Sequence, residues 1–176
     1  MADTAMHAIG RDAGPLALNE AQLVQNTALG SVLIWLFVRA YAEVTDRGCP
    51  LPLCFLVLPI LFHHAPRHAA EATARSSSLS KFVEKFEANR QDLLAIHPRM
   101  LALRPLTLRS VQLAAHRNLL TIDFVTADVT PVRLSPLPAR LRPERLRKMF
   151  RGAERLGVWM APHPMSNIAA ALRVQF

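Results

Sequence analysis

Cysteine, glycine and charge are all scarce in this sequence, and each shortage removes a class of answer. There are two cysteines, Cys49 and Cys54, in one apolar stretch. That is no disulfide framework, and both read as buried, reduced thiols, with a redox or metal role as the alternative. Six glycines in 176 residues leave no glycine-rich phosphate cradle, and no G-x-S-x-G elbow occurs. Acidic residues total 13, so paired carboxylates at useful spacing are few. These absences point to a chain that is not an enzyme, holds no metal and needs no cofactor. The two longest apolar runs look too short to span a bilayer. Residues 28–38 and 51–62 form the two apolar runs, each far short of the roughly 20 residues required. Arg39 ends one and His63 the other, so core helices are expected and no membrane partner. Residues 1–19 lack a secretory pattern and read as a flexible tail. A cytoplasmic location follows from these readings.

What is present is apolar bulk and a one-sided charge. The hydrophobic fraction is 51% and the charged fraction 19%, which excludes a disordered chain. Residues 1–88 carry seven basic and eight acidic side chains, and residues 89–176 carry fourteen and five. The whole excess of +8 therefore belongs to the second half, whose partner should be acidic: nucleic acid or an acidic protein face.

The expected class is mainly α with a small β-hairpin. Residues 20–176 read as a single adaptor domain: an apolar helical part over 20–75, a winged helix-turn-helix-like unit over 76–135, and basic C-terminal helices over 136–176. The first helix is expected over 20–46. It carries almost no polar group between Asn26 and Arg39, so Leu33, Trp35 and Phe37, with Phe55 from the next run, are candidates for a protein interface. Residues 53–62 should form a helix kinked at Pro59, with Pro52 in a first helical turn, or in part a buried strand. Residues 63–78 read as a polar connector. Ser78 starts a helix with Leu79, Phe82, Val83 and Phe86 on one face, and another, disturbed at Pro98, should end at Pro105. Thr107 then caps a short helix over 108–116, followed by strands over 119–125 and 129–134. Helices followed by a hairpin give the order of a winged helix. Prolines at 136, 138 and 143 mark a linker. Long and short helices should follow, over 143–160 and 167–173.

Two basic groups are candidate contacts for a partner or nucleic acid. Arg109 and Arg117 belong to the recognition-type helix of a winged-helix reading. Asp123 and Asp128 near the wing oppose a DNA backbone, which favours a protein-interaction module. The denser group is Arg142, Arg145, Arg147, Lys148, Arg151 and Arg155. Lys148, Arg151 and Arg155 share one helical face by their three- and four-residue spacing, with a plain solvated face as the alternative. His64, His68 and Glu71 would share a helical face as a metal set. Pro66 disfavours that helix, and the zinc-protease glutamate is missing.

Four stretches carry a resemblance: NTALG at 26–30, LPLCFLVLPILFH at 51–63, LRPLT at 103–107, and AERLGVWM at 153–160 running on to IAAALRV at 168–174. Together they resemble the middle component of bacterial three-component ABC-ATPase systems, the small subunit of Lamassu-type anti-phage defence, over about four-fifths of the chain. The resemblance implies a non-catalytic adaptor beside an SMC-like ABC ATPase and an effector, often a nuclease. It implies no catalytic residue to carry over. The segment from His63 to Arg67 departs from the pattern, where one histidine before a threonine–arginine pair is expected, and leaves the roles of His63, His64 and His68 open. A stand-alone winged-helix DNA-binding regulator is the competing reading.

Overall fold

Proline placement explains most of the helical punctuation. A helix needs no intrahelical donor from its first residues, so proline is accommodated in the first turn. The computed structural model describes residues 26–86, 90–132 and 143–176, and three prolines stand third in their helices. Pro59 is third in α3 (Val57–Leu61), Pro66 in α4 (His64–Ala72) and Pro98 in α7 (Ile96–His116). This corrects three expectations. Residues 53–62 are not one kinked helix, because α2 (Leu51–Cys54), with Pro52 in its first turn, precedes α3. The stretch expected as a connector contains α4. Pro98 opens its helix instead of disturbing it.

The remaining elements are α1 (Thr27–Thr45), β1 (Cys49–Pro50), α5 (Leu79–Glu84), α6 (Arg90–Leu94), β2 (Leu120–Asp123), β3 (Asp128–Pro131), α8 (Glu144–Met160) and α9 (Met165–Leu172). Asn26 caps α1, its Oδ1 accepting from the Leu29 amide at 2.8 Å. Asp46, left-handed at φ 53°, ends it ahead of Gly48. Ser78 caps α5 by accepting from the Lys81 amide at 3.3 Å. Residues 20–25 of the expected first helix lie outside the described residues, as does the linker up to 142.

One expected break is absent. Pro105 sits inside α7, which runs unbroken for 21 residues. The short helix expected over 108–116 is therefore the second half of a long one, and Thr107 is buried within it instead of capping it. The ring removes the donor that the Leu101 carbonyl would have used four residues back.

The core forms around α1. Its side chains from Leu33 to Ala40 are all buried, because α7 and α8 pack along it and β3 touches its end. By length and composition α1 could cross a membrane, with mean hydropathy 1.4, yet 67% of that stretch is buried within the fold. Two glycines permit the close packing. A Cβ at Gly157 would run into the Phe37 carbonyl oxygen and come within 2.9 Å of the Tyr41 amide nitrogen, so α8 lies with its backbone on that of α1. At Gly30 a Cβ would meet the hydroxyl of the Ser110 side chain, so that side chain of α7 rests on the bare backbone of α1. Buried residues of α1, α3, α7, α8 and α9 join one hydrophobic cluster.

The sheet holds three antiparallel strands in the order β1-β3-β2. The hairpin expected after α7 is present, with Ile122 opposite Val129. The third strand, β1, was not expected; it pairs Cys49 with Val129. The Leu51 amide also donates to the Ala127 carbonyl at 2.9 Å, which ties the hairpin turn to the start of α2.

Candidate partner-binding site

The basic side chains of α8 are held at a fixed place by two buried polar contacts. Arg39 on α1 is almost fully enclosed, its side chain 5% exposed, and donates from Nη2 to Glu154 Oε1 at 2.7 Å. Its Nε lies 3.5 Å from Glu43, and Glu43 also pairs with Arg75 at 3.0 Å. The guanidinium stacks over the Trp35 ring at 5.4 Å. At the next position of α8, Arg155 Nη1 donates to the carbonyls of Ala70 and Glu71 at 3.0 and 2.7 Å. It satisfies acceptors that the end of α4 leaves without helical donors, and a cation there complements the helix dipole. Burial, and then the nearby Arg151, lower the Arg155 pKa from its ordinary value. The same helix is anchored by Trp159, whose Nε1 donates to the Arg75 carbonyl at 3.2 Å while the ring stacks on Phe82.

These contacts leave a cleft between α4 and α8. It encloses about 310 Å³ and is lined by His68, Glu71, Ala72, Lys148, Arg151 and Arg155. Lys148 and Arg151 are exposed at its mouth. Glu71 is held 3.9 Å from Arg67, so the cationic groups dominate what a ligand would meet. The spacing of Lys148, Arg151 and Arg155 does bring the three together. Arg145 and Arg147 are exposed on the same helix, Arg147 pairing with Glu144. Arg142 lies outside the described residues.

His64 and His68 stack with ring centroids 6.1 Å apart. Among the described residues no group of three or more histidine, cysteine or acidic side chains is placed to hold a metal ion.

The other candidates fall elsewhere. Arg109 and Arg117 are exposed on α7 and at its C-terminus, away from the basic cleft. Leu33, Trp35 and Phe37 are buried in this chain's own core, so their side chains offer no free surface to a partner in this fold. Phe55 is half-buried and lines a second cleft of about 260 Å³, with Leu51, Met100, Leu101, Ala127 and Phe176 around it. Beside it, Phe124 and Val125 stand 90% and 95% exposed in the turn between β2 and β3. Asp123 closes that turn, its Oδ1 accepting from the amides of Val125 and Thr126 at 2.8 and 3.3 Å. Those two hydrogen bonds hold its carboxyl below the usual range. Sequence reasoning placed Phe124 and Val125 in a strand and overlooked Leu101 and Phe176. The signal for the first pair was adjacency: two bulky apolar residues in succession break the alternation of a half-buried strand.

Comparison with curated proteins and with solved structures returns no match. A family model, that of the ABC-three component (ABC-3C) system Middle Component 3, matches residues 16–176. A chain matched over nearly its whole length, with its core helices, basic cleft and hairpin all inside the match, belongs to the Middle Component 3 family of ABC-three component systems.

Proposed function

We propose that this middle component is a non-catalytic adaptor that joins an SMC-like ABC ATPase to an effector, a nuclease, in a cytoplasmic Lamassu-type defence complex. The observation that carries the reading is the family match over residues 16–176. A middle component of a three-component system has two others to meet. The chain supports this with two surfaces of different chemistry: the cationic cleft of α4 and α8, and the apolar cleft around Phe55. Residues 20–176 act as one adaptor domain, and the cationic cleft receives an acidic segment of one partner. The test is co-expression with the other two components and sizing of the purified assembly. A complex of all three components is expected, and Lys148→Glu with Arg151→Glu should release one of them. A chain that elutes alone beside the others overturns the reading.

The winged-helix-like reading draws support from topology. A strand, intervening helices, a long helix and a hairpin follow in order, and the first strand pairs with the last. A stand-alone DNA-binding regulator of this kind would bind duplex in a salt-dependent way and weaken when Arg109 and Arg117 are changed. The acidic pair Asp123 and Asp128 on the hairpin opposes that use and favours a protein partner.

A further inference from the structure

The outer face of α7 has a pattern that its own fold does not use. Leu101, Pro105, Leu108, Gln112 and Ala115 follow one another at spacings of four, three, four and three. That is the repeat of a coiled-coil seam, with the leucines in one recurring position. A helix that packs only inward usually carries polar residues on this face, yet here Leu101 is 53% and Leu108 45% exposed. The helix's buried stripe is a different one, formed by Ile96, Met100, Leu103, Leu106, Val111 and Ala114. At 3.6 residues per turn, Arg104 lies about 60° to one side of Leu101 and Arg109 about 80° to the other. In heptad terms they take the flanking positions that select a partner by charge. Both are exposed, and neither has an ion pair among the described residues.

The seam continues beyond the helix. Leu101 and Arg104 line the apolar cleft together with Phe55 and Phe176, and Ala127 of the hairpin turn closes one side. Phe124 and Val125 project from that same turn. The surface is thus an apolar track bordered on both sides by arginine.

We propose that this face of α7, with the hairpin turn at its edge, seats an amphipathic helix of another component. The visiting helix carries an apolar stripe flanked by glutamate or aspartate. The inference rests on the adaptor reading and adds where one partner docks and what its helix looks like. Charge complementarity sets the acidic flanks, and the four–three spacing sets a helix as the visitor. A nucleic acid would meet leucines where it needs cations.

The test uses the full chain co-expressed with the other two components. Leu101→Glu with Leu108→Glu should weaken binding of one component at least tenfold while the other is retained. Arg104→Glu with Arg109→Glu should do the same, and acidic-to-lysine changes in the partner helix should restore it. All four positions are solvent-facing, so an unchanged circular dichroism melt verifies the fold. A photo-crosslinking amino acid at position 108 should map to an acidic helix of that component. Crosslinks within the chain, to a second copy or to DNA overturn the proposal. If wild type assembles and the variants assemble equally well, the seam fails and the adaptor reading stands. If wild type itself finds no partner, both fail.

Discussion

Removing the Glu154 carboxylate should be among the costliest single changes on the partly buried surface of α8. Arg39 has a side chain 5% exposed and Glu154 one 13% exposed, 2.7 Å apart. Taking away one member of such a pair leaves a desolvated charge, which typically costs about 3–5 kcal/mol. Glu43 remains 3.5 Å from Arg39, but it is 37% exposed and shared with Arg75, so it compensates only in part. For Glu154→Ala the expected loss is therefore near the lower end, about 3 kcal/mol. In a chain of this size that corresponds to a Tm drop of about 6–12 °C. Urea unfolding of the purified chain, followed by circular dichroism, measures it. The double change Arg39→Met with Glu154→Leu removes both charges, keeps much of the volume, and should recover most of the loss. A Glu154→Ala cost below about 1 kcal/mol would refute the reasoning. So would a double variant less stable than the single one, since the penalty is attributed to an orphaned charge.

Gly157→Ala should destabilise by about 3 kcal/mol, because its Cβ would strike the Phe37 carbonyl and force two backbones apart; urea midpoints test this. Arg155→Ala should cost about 1–2 kcal/mol through the two carbonyls it leaves at the end of α4, whereas Lys148→Ala and Arg151→Ala should leave the midpoint unchanged. Burial, followed by Cys54 and Asp128, pushes the Cys49 thiol well above its usual pKa. Its stabilising effect is complete below the unfolded thiol's pKa and declines as pH rises past it, at up to about 1.4 kcal/mol per pH unit. Stability should fall above about pH 8.5, and Cys49→Ala should flatten that limb in unfolding curves taken from pH 7 to 10. A slope unchanged by the substitution would contradict the assignment.

The helices were legible wherever one apolar face recurs at helical spacing, as in α1, α5 and α8. What misled was proline. Pro59, Pro66 and Pro98 each suggest a break when only the local run is read, because sequence does not say how far back the helix began; a start two residues earlier turns the breaker into a first-turn residue. Pro105 shows the opposite case, a helix continued through proline while packed along α1 and α3. The two-residue strand β1 was beyond reach, since its pairing with β3 is fixed by contacts some eighty residues apart. The basic cleft was half legible. Spacing grouped Lys148, Arg151 and Arg155, yet only the fold reveals that Arg155 is committed to the carbonyls of α4. The greasiness of α1 suggested a partner surface, but α7, α8 and β3 supply its cover from within the chain.

The contact at Gly157 has a mechanical consequence. Side chains at a helix crossing act as springs, because rotamers can shift and let one helix slide on another. Where backbone meets backbone, as between Gly157 and Phe37, there is no spring to compress. A pull applied to the cationic end of α8 is handed straight to α1. At the crossing of α1 with α7 the atom facing Gly30 belongs to the Ser110 side chain, so a spring of that kind lies between those two helices. Helices α8 and α1 form one stiff pair behind the basic cleft, joined to α7 and its leucine track by a more yielding contact.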